Sequence, residues 1–160
     1  MKPEDQARQE IDRQLAACGW IVRDRASLNI HASAGVAVRE FPVIKPDGRR
    51  GSVDYLLYAD GKAIGVVEAK PADYPLGGVE GQAKDYAYGL EPEVPHHLLP
   101  LPFHYLSTGV ITRFINALDP DPRSRNVFTF HRPEELLRLV SQDLQLRQSA
   151  AKAATRLTVA

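Results

Sequence analysis

The amino-acid sequence predicts an α/β fold, with a mixed central β-sheet flanked by helices. Three observations predict it. Helical periodicity occurs near both ends of the chain, apolar segments of strand length lie between them, and Asp60-Gly61 joins two of those segments as a hairpin turn does. The resulting order is helix, strands, helix, strands, helix, which is typical of a layered α/β architecture.

The first half of the chain contains the first helix and four predicted strands. Apolar residues recur with helical spacing from Ile11 to Cys18. The alternating or apolar segments that follow predict strands over residues 20–22, 36–43, 52–59 and 63–69. In the second strand, Glu40 is expected on the same face as Val36 and Val38.

The second half mixes helical and extended segments. We predict a helix over residues 81–90, a long proline-rich loop over 91–102, strands over 103–107, 109–112 and 126–130, and a last helix from Pro133. Beyond Gln148 the alanine-rich tail contains no turn signal, so we expect it to fray or to continue into further chain.

Composition places the chain among ordinary folded proteins of single-domain size. Of its 160 residues, 44% are apolar and 25% are charged, which matches an average globular domain. We predict one domain over residues 1–148 and a C-terminal tail over residues 149–160. The single cysteine excludes an internal disulfide framework and a cysteine-rich zinc site.

Charge and hydropathy limit the environments that the chain fits. No apolar run approaches the roughly 18 to 20 residues of a membrane span, and residues 1–5 lack the apolar core of a signal peptide. We therefore expect a cytoplasmic protein without membrane contact. The 20 basic and 20 acidic side chains balance, so DNA binding would need a local basic patch, a bound metal ion or a partner.

Two adjacent predicted strands carry charge where their apolar pattern predicts burial. Glu68 follows the apolar run 64–67, and Asp54 lies on the preceding strand. A buried carboxylate is costly unless it is paired or binds a metal ion, and two converging carboxylates suit Mg²⁺ or Mn²⁺. Lys70 leaves the same strand face as Glu68 and could orient or deprotonate a water molecule. These groups fit metal-assisted hydrolysis of a phosphodiester.

This site requires a particular strand register. If Asp60-Gly61 were the whole loop of a regular hairpin, Asp54 would face Val67, and Glu68 would point away from it. Asp54 faces Glu68 only if the pairing shifts by one residue, which a β-bulge or a three-residue loop supplies. We therefore predict an irregularity in this hairpin.

The spacing of these residues resembles a known nuclease signature. Asp54, followed fourteen residues later by Glu68-Ala69-Lys70, resembles the PD-(D/E)XK motif, with Val53 in place of the proline. The longer pattern from Glu40 onward is similar to the N-terminal nuclease domain of the restriction (HsdR) subunit of type I restriction-modification enzymes. The resemblance implies a restriction-endonuclease-like core. It also implies that Asp54, Glu68 and the Ala69 carbonyl hold Mg²⁺ or Mn²⁺, and that Lys70 positions the attacking water.

The resemblance extends to accessory residues. Gln82 and Tyr86 resemble the Gln-x-x-x-Tyr motif that follows the catalytic strand in RecB-like nucleases, where it supports activity by contacting DNA or ordering the site. Glu10 resembles the helical glutamate that many of these enzymes place beside the metal, and Glu40 is the competing third carboxylate. Lys84 and Tyr88 are further candidates for phosphate or sugar contact.

Each assignment has a structural alternative. The three motif residues could form a structural ion-pair network, Gln82 and Tyr86 could be a packing face, and Glu10 could be a solvated helix position. The histidines lack the spacing of zinc ligands, and no Gly-x-x-x-x-Gly-Lys-Ser/Thr motif for ATP occurs.

The function that the resemblance implies is that of an Mg²⁺-dependent endonuclease domain that cuts double-stranded DNA after translocation by a complete complex. The expected partners are DNA, the methyltransferase and specificity subunits, and the helicase/translocase region of a full-length subunit. Two alternatives stay open: a non-catalytic docking domain of such a complex, and a nuclease of the same superfamily used in DNA repair.

Overall fold

A computed structural model describes residues 1–76 and 83–158 of the chain. Among these residues, the strands are β1 (Ile21–Arg23), β2 (Gly35–Ile44), β3 (Arg50–Ala59), β4 (Lys62–Ala69), β5 (Phe103–Ser107), β6 (Thr112–Asn116) and β7 (Arg125–Val127). The α-helices are α1 (Pro3–Ala17) and α2 (Pro133–Thr158), and 3-10 turns cover Arg25–Ser27 and Ala83–Tyr86. The α/β class predicted from the sequence is confirmed.

The strands of the described part form one mixed sheet, in which they follow chain order from β1 to β7. The pairs β1–β2 and β4–β5 are parallel, and the other neighbours are antiparallel. Because β4 and β5 run in the same direction, with Ala69 opposite Ser107, their C-terminal ends lie at the same edge of the sheet. This edge carries Glu68 and Lys70.

Both helices contribute to the core on one face of the sheet. Ile11 and Leu15 of α1 and Leu136 and Val140 of α2 are buried against the strands, in a cluster that includes Tyr55. The predicted helical stripe of α1 is therefore its packing face, because residues three and four apart project from one side of a helix.

The opposite face is covered by the proline-rich connection between β4 and β5. Tyr88, Leu90 and Leu101 from this segment form a second core with strand residues such as Val38 and Val66. A loop thus takes the position that a second helical layer occupies in many α/β domains.

Residues 83–90 differ from the predicted helix. After the 3-10 turn Ala83–Tyr86 the chain is extended, and Gly89 forms an antiparallel bridge with Ile44 through hydrogen bonds of 2.9 and 2.8 Å. Extension lets Tyr88 and Leu90 both enter the second core, and this burial outweighs the local helical propensity.

The last elements also differ in their bounds from the prediction. β6 begins at Thr112 rather than ending there, because residues 108–111 form the turn after β5, in which Gly109 has a φ of +84°. α2 begins at Pro133, as predicted, and continues through Thr158 into the segment that the sequence predicts as a tail. No helix within residues 1–76 and 83–158 has an apolar stretch able to cross a bilayer.

Candidate functional site

The β3–β4 hairpin contains the irregularity that the sequence predicts. Asp60 and Gly61 form a two-residue turn with positive φ at both positions, and next to it Tyr58 pairs with Ala63. The register then shifts, so that farther from the turn Tyr55 pairs with Val67. The paired region ends there, so Asp54 and Glu68 are the next residues beyond the last pair. The prediction of a β-bulge in this hairpin is confirmed.

A second irregularity lies at Glu40 on β2 and Asp54 on β3. On both strands the alternation of side chains between the two faces of the sheet is interrupted at this point. Glu40 has a φ of +52°, and Val38 and Phe41 enter the same core although they are three residues apart. Val53 and Leu56 on β3 behave in the same way. The expected common face of Val38 and Glu40 is therefore interrupted, since Phe41 takes the core position and Glu40 is exposed.

Beyond the last β3–β4 pair, the side chain of Asp54 hydrogen-bonds to the backbone of β4. Its Oδ2 accepts the Ala69 N–H at 2.8 Å, in the fork where the two strands separate. Its Oδ1 accepts the Arg8 Nε at 3.0 Å and also the Arg8 Nη2. The carboxylate is therefore held between β4 and a guanidinium group from α1, and its side chain is 19% exposed.

Glu68 belongs to a different network on the second-core face of the sheet. Its Oε1 accepts a hydrogen bond from the Tyr88 hydroxyl, and its Oε2 lies 3.5 Å from the His104 Nε2. The His104 ring stacks on Tyr88 at 5.5 Å between centroids. Glu68 is thus a largely enclosed carboxylate with a hydroxyl donor and an imidazole beside it.

The charge of Glu68 is stabilised by these neighbours. Burial alone would raise the pKa of Glu68, but the adjacent His104, the Tyr88 hydroxyl and the Lys70 ammonium lower it to about 2. Burial and the carboxylate of Glu68 raise the pKa of Tyr88 in turn, so Tyr88 remains a donor. Glu68 is an anion across the physiological pH range.

Lys70 follows the end of β4 at the shared edge of β4 and β5. Its backbone N–H donates to the Ser107 carbonyl at 2.8 Å. Its ammonium lies 5.3 Å from the centre of the Tyr74 ring, close enough to Glu68 to lower the pKa of that carboxyl. The Lys70 ammonium therefore lies near the Glu68 carboxylate, as their spacing of two residues predicts.

The chemistry of this donor set fits a divalent cation. Carboxylate oxygens are the preferred ligands of Mg²⁺ and Mn²⁺, Glu68 is ionised, and Asp54 already binds a positively charged group. The two carboxylates nevertheless have hydrogen-bond partners in different places. The partner of Asp54 is Arg8 on α1, and the partner of Glu68 is Tyr88 on the second-core face. Within residues 1–76 and 83–158 no three His, Cys, Asp or Glu side chains cluster as a metal site, so an ion here would depend on two carboxylates and the Ala69 carbonyl.

The accessory residues occupy different surroundings. Gln82 lies outside the described residues. Tyr86 lies on the Glu68 side, with its ring centre 4.5 Å from that of His104. Glu40 accepts the Arg8 Nη1 at 3.2 Å and is 70% exposed. Glu10 is bound by Arg13 and Gln14 of its own helix, at 2.5 and 3.2 Å.

Arg8 contacts Asp54 and His104 contacts Glu68, although the sequence analysis predicts neither of them at this site. His104 interrupts the apolar strand β5 and is buried, so the signal that identified Glu68, a charged or polar residue within an apolar strand, applied to it as well. Arg8 has no comparable signal, because an arginine on an amphipathic helix is ordinary.

Comparisons with known proteins bear on the family and the fold of this chain. The sequence profile of the family described as the second domain of the type I restriction enzyme EcoKI endonuclease subunit matches residues 6–100. A solved fragment, named as an HsdR subunit of a type I restriction enzyme from Vibrio vulnificus YJ016, shares 25% sequence identity with this chain and superimposes with a TM-score of 0.59. The match covers 89% of this chain and 26% of that chain, so this chain spans about a quarter of its length. No curated protein matches significantly.

Proposed function

Because this chain belongs to the family of the type I restriction enzyme endonuclease (HsdR) subunit, we propose that it is the metal-dependent nuclease domain of such a subunit and hydrolyses phosphodiester bonds of double-stranded DNA. One observation supports the proposal: the bulged β3–β4 register pairs Tyr55 with Val67, so Asp54 and Glu68 are the next residues of the two strands beyond the last pair. Lys70 lies two residues after Glu68, directly beyond the end of β4. Paired carboxylates with a nearby ammonium are the parts that a PD-(D/E)XK nuclease uses.

Asp54, Glu68 and the Ala69 carbonyl would hold Mg²⁺ or Mn²⁺. The bound ion would act as a Lewis acid at the scissile phosphate. The Lys70 ammonium would orient the attacking water and attract the phosphate oxygens, because it is a cation beside the carboxylate pair. The low pKa of Glu68 keeps that ligand ionised at every working pH.

Substrate support would come from the segment after β4. Tyr86 lies against His104 on the Glu68 side of the sheet, and Gln82 would complete a Gln-x-x-x-Tyr contact to DNA. The chain has no net charge, so most of the affinity for DNA would come from the methyltransferase and specificity subunits and from a translocase region of the complete subunit.

Substitution of the three motif residues tests the proposal. In the assembled restriction enzyme, Asp54→Asn, Glu68→Gln and Lys70→Ala should each reduce DNA cleavage by about 100-fold or more, because each removes a ligand or a positioned charge. The measurement is linearisation of a circular DNA that contains the recognition site, in the presence of Mg²⁺ and ATP.

The matched control for this experiment is Lys62→Ala. Lys62 is an exposed lysine at the start of β4, at the hairpin end of the strand, and its removal should leave cleavage unchanged. Circular dichroism shows whether each variant is folded. Normal cleavage by the Lys70→Ala enzyme would contradict the assignment.

A second candidate function is a non-catalytic docking domain within the same complex. The observation that favours it is that each carboxylate already has partners in the protein, Asp54 with Arg8 and Glu68 with Tyr88. Titration with Mn²⁺ separates the two functions. A nuclease site binds Mn²⁺ and loses affinity in Asp54→Asn or Glu68→Gln, whereas a docking domain is indifferent to Mn²⁺.

A repair nuclease of the same superfamily would differ from the first candidate in its substrate. Its cleavage would proceed without methyltransferase and specificity subunits. Cleavage that requires both subunits would support the restriction function.

A further inference from the structure

We propose that the Arg8 guanidinium is an internal cation that occupies Asp54, and that a divalent metal ion has to displace it in order to bind there. Arg8 thereby lowers the metal affinity of the site. This inference rests on the proposed function, because it concerns the same metal site.

Both oxygens of the Asp54 carboxylate are engaged. Arg8 binds Oδ1 through Nε and Nη2, and the Ala69 N–H binds Oδ2. Two nitrogen atoms of the guanidinium donate to one carboxylate oxygen, and hydrogen bonds between charged groups are stronger than those between neutral groups. A metal ion at Asp54 would stand next to this positive charge, and like charges repel most where solvent screening is incomplete. The ion and the guanidinium therefore compete for one carboxylate.

The backbone of Arg8 is fixed, while its side chain has a second place to bind. The Tyr55 hydroxyl donates to the Arg8 carbonyl at 3.1 Å, which ties this turn of α1 to β3. The Arg8 side chain is 33% exposed, and its Nη1 already contacts the exposed Glu40 at 3.2 Å. Arg8 can leave Asp54 through a change of rotamer and remain paired with Glu40.

Glu40 thus has a role that differs from metal ligation. Its positive φ places an exposed carboxylate beside the fork of β2, β3 and β4, where it stabilises the displaced guanidinium. The structure assigns Glu40 to the cation exchange at Asp54, and its effect on metal binding passes through Arg8.

Mn²⁺ affinity measures this competition directly. Isothermal titration of the 160-residue chain with MnCl₂ should show about tenfold tighter binding in Arg8→Ala and in Arg8→Gln, a size expected for loss of one partly exposed ion pair with a competing cation. The increase in melting temperature that Mn²⁺ produces should grow in the same variants. Arg8→Gln keeps the length of the side chain and provides the test if Arg8→Ala does not fold.

Arg138→Ala is the matched control. Arg138 binds Glu135 on α2, with Nε donating to one carboxylate oxygen and Nη2 to the other, so the variant breaks a guanidinium–carboxylate pair outside the candidate site. It should leave Mn²⁺ affinity unchanged. Tighter Mn²⁺ binding in Arg138→Ala, equal to that in Arg8→Ala, would overturn the proposal.

A double-mutant cycle tests the role of Glu40. Glu40→Gln should weaken Mn²⁺ binding in the wild-type chain and have no effect in Arg8→Gln, because Glu40 acts through Arg8. Equal weakening in both backgrounds would mean that Glu40 acts independently and would overturn the displacement step.

The remaining outcomes separate this inference from the proposed function. If Asp54→Asn weakens Mn²⁺ binding and Arg8→Ala does not strengthen it, the metal site stands and the inference about Arg8 is wrong. If Asp54→Asn binds Mn²⁺ as the wild type does, both are wrong.

Discussion

The chemistry of Glu68 depends on neighbours that are distant in the sequence. Tyr88 and His104 lie 20 and 36 positions farther along the chain, yet they enclose its carboxylate. Together with Lys70 they lower its pKa to about 2 against the cost of burial. In a nuclease this keeps a ligand ionised, and in any protein it makes stability depend on pH.

The sign of that dependence follows from the direction of the shift. The pKa of Glu68 in the folded chain lies below the ordinary 4.5, so the ionised group stabilises the fold above about pH 4.5, and this stabilisation is lost as the pH falls toward 2. Without metal, the wild-type free energy of unfolding should therefore fall between pH 5 and pH 2 by more than that of Glu68→Gln. The difference should be on the order of 3 kcal/mol at most.

Urea unfolding, followed by the fluorescence of the single tryptophan, Trp20, measures this difference at each pH. Trp20 is buried and reports the folded core. Parallel pH curves for the wild type and Glu68→Gln would contradict the low pKa. Glu93→Gln, which removes an exposed loop carboxylate, serves as the control.

At the scale of the elements, the parallel pair β4–β5 positions Glu68 and Lys70. Gly65 permits the close approach of the two strands, because a Cβ atom at this position would lie 2.7 Å from the Phe103 carbonyl oxygen. The backbone atoms of a hydrogen-bonded strand cannot move far enough to relieve such a close contact. The absence of a side chain at Gly65 is therefore a condition for this edge of the sheet.

Gly65→Ala should lower the free energy of unfolding by about 1 to 3 kcal/mol, because the added methyl group overpacks the β4–β5 pair. Urea unfolding measures it. Gly89→Ala is the matched control: its nearest neighbour would be the Ile44 Cβ at 3.6 Å, an ordinary contact. Equal stability of the Gly65→Ala and Gly89→Ala variants would contradict the packing argument.

At the scale of the whole molecule, residues 1–76 and 83–158 form one sheet with helices on one face and a loop on the other, and α2 continues beyond its last core residue. Val140 is the last residue of α2 in the core, and residues 149–157 are exposed. The exposed part of the helix contributes little apolar burial to the domain. The predicted boundary at residue 148 remains a prediction.

A shortened chain tests that boundary. A chain that ends at Gln148 should unfold with a free energy within about 0.5 kcal/mol of the full chain, since residues 149–157, which it loses, are exposed. A chain that ends at Leu137 loses the buried Val140 and should be less stable by about 2 kcal/mol or more. Marked destabilisation of the longer chain would place the boundary nearer the C-terminus.

The predictable parts of this fold are those that local physics decides. The Asp60-Gly61 turn requires positive φ at both positions, the apolar stripe of α1 repeats every three to four residues, and Glu68 stands out in an apolar strand. The requirement that Asp54 face Glu68 even predicted the bulge. The helix predicted over residues 81–90 is wrong for residues 83–90, because the helical pattern is local, whereas the bridge from Gly89 to Ile44 joins distant segments.

By itself, the sequence determined the layered α/β class, the hairpin and the spacing of the charged residues, because each follows from the geometry of neighbours along the chain. Only the tertiary structure decided which residues those charged side chains contact. Arg8 reaches Asp54 across 46 residues, and Tyr88 and His104 enclose Glu68 from two other segments. Such contacts arise when separate elements pack, and they depend on side-chain directions that no local periodicity specifies.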